Sequence, residues 1–223
     1  MGMALLLAVA GFCLVGILIG RGLRPTGRPL TQEFSQGLPS GNFPEVAAYD
    51  HVTGLPTRRL FGTLLDQAIG RAATTGRSLA LFVVELEHFQ MVAESQGLAN
   101  SNMLVRVQAA RVKGVLRSTD TVARLRQDQF AMIADNLISH EEIAAIVDKL
   151  QATVGLPLTL DGHELFLTCR IGVALYPQDA MNQTELVEQA LRAVKIAKSA
   201  GQTVRYVSPP VHAAAHEPLP LAS

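Results

Sequence analysis

The sequence predicts an α+β sandwich: a central, mainly antiparallel sheet flanked by helices and preceded by one transmembrane helix. Three observations carry this. Helical periodicity alternates with short apolar or alternating segments over residues 47–207. Two turn sequences, Arg126–Gln129 and Asp161-Gly162, each join strands into a hairpin, which imposes antiparallel pairing. Met1 to Gly20 carries no charged side chain, and Met3 to Ile19 is almost unbroken Ala, Leu, Val, Ile and Phe.

The elements follow in order. Leu60, Phe61, Leu64, Leu65, Ala68 and Ile69 recur at helical spacing. Leu79 to Leu86 is apolar at nearly every position, as expected of a strand covered on both faces. A helical region of more than one helix follows, with Leu104, Val105, Ala109, Val112 and Leu116 on one face, and Val122–Leu125 and Phe130–Ala134 form the first hairpin. Ser139 and Glu142 have the spacing of a capping box ahead of Ile143, Ile146, Val147 and Leu150. Asp161-Gly162 joins Leu158 and Leu160 to one long alternating strand through Leu165, Leu167, Cys169, Ile171, Val173 and Leu175. Asn182 and Glu185 cap a last helix bearing Leu186, Ala190, Leu191, Val194 and Ala197. Gly201 stops it, and Thr203–Val207 closes the sheet.

Composition limits the functions on offer. Nineteen basic and nineteen acidic side chains cancel, Trp is absent and aromatics are 5%, which argues against a nucleic-acid surface. The two cysteines, Cys13 and Cys169, fall in unrelated segments and give no disulfide framework. At about 1.5 Å per residue, the run 1–20 just spans the roughly 30 Å hydrocarbon layer. Arg21, Arg24 and Arg28 follow it, so the expectation is a single-pass membrane anchor with the rest cytoplasmic. A cleaved signal peptide is the rival, weakened by the lack of a basic n-region. Residues 21–46, rich in Pro and Gly, read as a flexible linker. Residues 208–223 read as a disordered tail, in which His212 and His216 are solvated rather than metal-bound.

Four separated segments then resemble one family. Asp50 to Arg58 is similar to D-x-L-T-G-L-P-N-R, Glu85 to Gln90 to D-x-D-H-F-K, and Arg124 to Phe130 to R-x-G-G-D-E-F. Ile171 to Ala174 with Ala193 to Gly201 is similar to S-I-G-V-A and A-L-Y-x-A-K-x-x-G. Their order and spacing resemble the GGDEF, or diguanylate cyclase, domain over residues 47–207. The resemblance implies that fold. It also implies a reaction in which two subunits, each holding one GTP, face each other and form cyclic di-GMP. Metal ions neutralise the triphosphate and help to activate a ribose hydroxyl.

Carried over position by position, the resemblance implies a degenerate site. The metal-binding acids fall on Glu85, one methylene longer than aspartate, on Asp128, and on Gln129, a neutral amide that cannot act as base. Arg126 and Gln127 replace the two glycines. The base-reading positions become Ala93 and Asn102. Of three phosphate cations only Lys198 remains, the others being Gln90 and Gln202. What survives is Arg117-Ser118-Thr119-Asp120, an R-x-x-D at the family's product-inhibition site, where arginine forks onto phosphate or guanine and aspartate accepts from a guanine edge. A second arginine of that site has no clear counterpart, Gln151 falling nearest, and Arg170 stands where the family has serine.

The expected function is a membrane-anchored, non-cyclising GGDEF protein of cyclic di-GMP signalling. It is a cyclic di-GMP receptor through Arg117 and Asp120, a module for protein partners in a membrane or envelope complex, or both. One alternative is a weak diguanylate cyclase using Glu85 and Asp128. Another is a nucleotide-independent scaffold. No cofactor is required, magnesium entering only with residual nucleotide binding. A homodimer fits the two-subunit reaction, and no nucleic-acid partner is expected.

Overall fold

The structure is a computed structural model that describes residues 47–137 and 139–208. The anchor expected at 1–20, the linker at 21–46 and all but the first residue of the tail lie outside the described residues. Among the described residues no helix is long and apolar enough to cross a membrane.

In chain order the elements are α1 (Arg58–Thr75), β1 (Ser78–Leu86), α2 (Phe89–Val115), β2 (Thr121–Arg124), β3 (Gln129–Leu137), α3 (His140–Val154), β4 (Leu158–Leu160), β5 (His163–Leu165), β6 (Cys169–Tyr176), α4 (Gln183–Ser199) and β7 (Val204–Tyr206). The main sheet has five strands in the order β2-β3-β1-β6-β7. Its pairings are antiparallel except β6–β7, which is parallel, so the sheet is mixed.

The apolar run of β1 is explained by its place at the centre. Ala80, Phe82, Val84 and Leu86 face a core shared with α2 and α3. Leu79, Leu81 and Val83 face a second core shared with α1 and α4. With period-2 alternation, Glu85 therefore emerges on the α1/α4 side, just past the end of that second core. Gly172 on β6 lets α4 lie close to the sheet: a Cβ there would come within 2.2 Å of the Ala190 carbonyl oxygen.

Two expectations are corrected. The long strand after Asp161-Gly162 is two strands. β5 pairs only with β4 in a separate two-stranded sheet, and β6 resumes at Cys169 in the main sheet. Period-2 hydropathy cannot register a strand that changes sheets. Ser139 is the N-cap of α3, but its side chain makes no capping bond. Between β1 and β2 the helices expected there are present as two segments of α2 that meet at Gly97, whose φ of 77° and ψ of 173° only glycine adopts readily. The Asp161-Gly162 turn itself is as expected, with φ of 48° and 79° at the two residues.

Replacing Gly172 by Ala should force α4 off the sheet. Urea unfolding of the Gly172→Ala variant is expected to show a loss of about 1–3 kcal/mol, as overpacking of a tight core produces. An unchanged midpoint would mean that α4 shifts freely.

Candidate functional site

The site is built where β1, β3 and β6 end together. Glu85 of β1 lies in register between Gln129 of β3 and Arg170 of β6, so the three side chains share a face. Glu87, two residues on, shares it too. Lys198 reaches the same point from the last turn of α4.

The charges on this face are already matched. Lys198 Nζ donates to Glu85 Oε1 at 2.9 Å, and Gln129 Nε2 donates to Glu85 Oε2 at 3.2 Å. Gln129 is only 4% exposed, so its amide faces protein rather than solvent. The hydrogen bond to Glu85, with the attraction behind it, holds the Lys198 ammonium above its ordinary pKa. Next to it, Arg170 Nε donates to Glu87 Oε1 at 2.8 Å and Thr168 Oγ1 to Glu87 Oε2 at 2.7 Å. Burial pushes the Glu87 carboxyl up, but the bonds from Thr168 and Arg170 outweigh it and leave Glu87 below its usual range. Arg170 is thus a structural partner of Glu87. Cys169 beside it is buried, and burial pushes its thiol up to about 12, so it is a packing residue and not a nucleophile.

These residues do not fit a divalent metal. Magnesium takes oxygen ligands at about 2.0–2.1 Å in near-octahedral array. Both Glu85 oxygens already accept bonds, Gln129 carries no charge, and no group of three His, Cys, Asp or Glu gathers among the described residues. Asp128 sits in the turn, where its carbonyl accepts from the Leu86 amide at 2.9 Å and ties the turn to β1.

The turn has an organiser that sequence reading passed over. Arg124 donates to the carbonyls of Arg126 (3.1 Å) and Gln127 (2.9 Å) and to Asp50 Oδ1 (3.0 Å). It is 10% exposed on its side chain and locks the β2–β3 turn to the loop ahead of α1. The signal was available: Asp50 and Arg124 each open one of the four segments quoted above. Neither Arg126 nor Gln127 has a positive φ, so this turn does not need glycine, and both side chains are exposed. Ala93 packs against the core, and Asn102 lines a cavity beside the turn.

The R-x-x-D pair lies elsewhere. Asp120 Oδ2 accepts from the Arg117 amide at 3.1 Å and Oδ1 from the Asp135 amide at 3.4 Å. Burial raises the Asp120 carboxyl above its usual pKa, outweighing those bonds. The Arg117 guanidinium is 62% exposed and donates to Glu142 at 3.1 Å. Both residues, with Lys113 and Ser118, line an open cavity of about 370 Å³. Gln151 lies on α3, its carbonyl accepting from the Gly155 amide.

Asp50 yields a pH prediction. Burial raises its carboxyl, but the Thr53 hydroxyl, the Thr53 amide and Arg124 together take it below its ordinary 3.8. A depressed carboxyl stabilises the fold above the ordinary value, and that contribution disappears as the pH falls through the folded value. Asp50→Asn should cost roughly 1.5–3 kcal/mol at neutral pH, the scale of bonds to a charged group. In acid melts its gap from wild type should close below about 3.8. A gap independent of pH would remove ionisation from the explanation.

Comparison with known proteins agrees with this fold. The family profile described as diguanylate cyclase, GGDEF domain, matches residues 47–203. The isolated GGDEF domain of TpbB (YfiN) from Pseudomonas aeruginosa superposes with a TM-score of 0.69 at 31% identity, covering 72% of this chain and 94% of that one. Among curated proteins, diguanylate cyclase TpbB of Pseudomonas aeruginosa is 33% identical over 68% of this chain and 35% of its own length. The cyclic di-GMP phosphodiesterase NbdA of the same species is 32% identical over 71% of this chain and 20% of its own length. The chain thus spans between a fifth and about a third of the length of these two relatives. With the profile covering most of the described residues and the fold matching almost the whole of a solved GGDEF domain, this chain belongs to the GGDEF domain family.

Proposed function

We propose that this chain is a GGDEF module of cyclic di-GMP signalling that does not cyclise GTP and works by binding. Its ligand is cyclic di-GMP at Arg117 and Asp120. The single observation that carries the loss of cyclisation is the capture of Glu85 by Lys198 and Gln129. In the reaction implied by the family, that acid holds metal and that lysine holds phosphate, and here each neutralises the other. A cation would have to displace Lys198 and then find too few acids.

Arg117 supports the receptor reading. Its guanidinium is exposed beside an open cavity and held by one surface carboxylate, Glu142, a contact of small net stability that a dinucleotide phosphate can replace. Asp120 favours a second reading, a docking module for a protein partner. Both of its oxygens already accept backbone N–H groups, which leaves less capacity for a guanine edge.

Incubation of the full chain with GTP and magnesium should yield no cyclic di-GMP. Calorimetry should show cyclic di-GMP binding that weakens about tenfold or more in Arg117→Ala, the loss of one forked charge-assisted contact. Binding should tighten in Glu142→Gln, where the competing carboxylate is gone. Equal binding by wild type and Arg117→Ala would remove the receptor reading, and absence of binding by both would favour the docking module. Steady production of the dinucleotide would refute the loss of cyclisation.

A further inference from the structure

The loop ahead of α1, the start of α1, the part of α2 beyond Gly97 and the β2–β3 turn meet around an open trough of about 720 Å³. Its charge is one-sided. Arg58, Arg59 and Arg126 line it, all three are exposed, and none has an ion pair or hydrogen-bonded side-chain partner among the described residues. Arg106 of α2 joins them: its Nε donates to the carbonyl of Val52, a lining residue, at 3.0 Å, and it has no carboxylate partner among the described residues. The one acid lining the trough, Asp50, is neutralised by Arg124. The chain as a whole has a formal net charge of zero, so this concentration of cations is local.

The fold gives these arginines no structural task. Arg58 and Arg59 occupy the first turn of α1, which contains no acid, and the helix dipole disfavours cations there. Arg126 stands in a turn whose hydrogen bonds are made by Arg124 and the main chain. Their common use is therefore outside the domain.

Apolar side chains stand uncovered beside them. Leu98 lines the trough and is 78% exposed, and Met103, next in the chain to the lining residue Asn102, is 51% exposed. Apolar tips among long cationic side chains suit a water–lipid boundary. The tips enter the headgroup layer, and the guanidinium groups meet phosphate while their stems cover apolar surface.

The chain itself selects a lipid surface as the occupant. Ala47, the first described residue, is held at this face: its carbonyl accepts from the hydroxyl of Thr57, a lining residue, at 3.0 Å. Upstream in the sequence lie Arg21, Arg24 and Arg28 and the uncharged run 1–20, which has the length of a bilayer span. The covalent link to that run therefore leaves the domain from its basic face.

We propose that this face docks on the anionic surface of a membrane, with Arg58, Arg59, Arg106 and Arg126 on lipid phosphates and Leu98 and Met103 in the headgroup layer. The occupant is the lipid surface and not a soluble phosphate. Docking goes beyond the signalling role above and does not depend on cyclic di-GMP binding at Arg117.

Hydrogen exchange tests this on the full chain, reconstituted in vesicles of phosphatidylcholine alone or mixed with an equal part of phosphatidylglycerol. Exchange at residues 97–106 and 124–128 should slow with phosphatidylglycerol and not with phosphatidylcholine alone, and high salt should reverse the slowing. Arg126→Gln and the pair Arg58→Gln/Arg59→Gln should lower the docked-to-free ratio about fivefold for each charge removed. Leu98→Ser should lower it too, while Arg77→Gln, an exposed arginine outside the trough, leaves it unchanged. These side chains are exposed, and thermal melts verify that each variant folds. If the run 1–20 does not insert, co-sedimentation with the two kinds of vesicle gives the same comparison. Equal exchange in both vesicles would overturn the proposal, as would slowing that survives the arginine variants or is lost equally in Arg77→Gln. Slowing by inorganic phosphate alone would reduce the face to a soluble-anion site. Slowing by polyglutamate but not by phosphatidylglycerol would replace the membrane with an acidic protein partner.

Discussion

The carboxylate of Glu85 leaves the centre of the sheet where the apolar face of β1 ends, and a charge in that position must be compensated. A metal ion can supply the compensation from outside, or the protein can supply it from within. Here Lys198 brings the charge and Gln129 brings a second hydrogen bond, so both oxygens are satisfied with no added ion. Gln129 is central to this choice. A glutamate in its almost fully buried position would place a second negative charge beside Glu85, and one of the two would have to be neutralised by a proton, a cation or Lys198 alone. Glu87, Arg170 and Thr168 repeat the arrangement one step further along the strand. The end of β1 is therefore a self-contained polar layer.

The neighbouring turn keeps its shape while its chemistry changes. Arg124 binds two turn carbonyls and Asp50, and Asp128 ties the turn to β1 through its backbone, so neither task needs the residues at 126 and 127. Those positions are left to display long side chains toward the adjoining cavity. Fold and binding surface are thus uncoupled: the loop is held by one largely covered arginine and its exposed tip is open to variation.

The sequence made some of this legible and withheld the rest for physical reasons. The apolar run of β1, the Asp161-Gly162 turn and the Asn182 cap could be read because each is a local rule, and Asn182 does accept from the Glu185 amide at 3.0 Å. The change of sheet between β5 and β6 could not, because Leu165, Leu167 and Cys169 alternate as though continuous while the chain bends between two pairings. At the site, the motifs identified Glu85, Asp128, Gln129 and Lys198 as neighbours in chemistry. That Lys198 and Glu85 pair across 113 residues, and that Arg170 serves Glu87, are tertiary facts which no spacing encodes. Asp120 was visible as half of a motif, but its use by the amides of Arg117 and Asp135 was not.

Manganese(II) has magnesium's preference for oxygen ligands and a paramagnetic signal that is quenched on binding, so titrating it into the full chain by electron paramagnetic resonance interrogates Glu85 directly. With Glu85 held internally, the free-ion signal should rise in proportion to added metal, with no saturable one-to-one loss. A stoichiometric loss that vanishes in Glu85→Ala would show that the carboxylate is available to a cation after all, and would contradict the account.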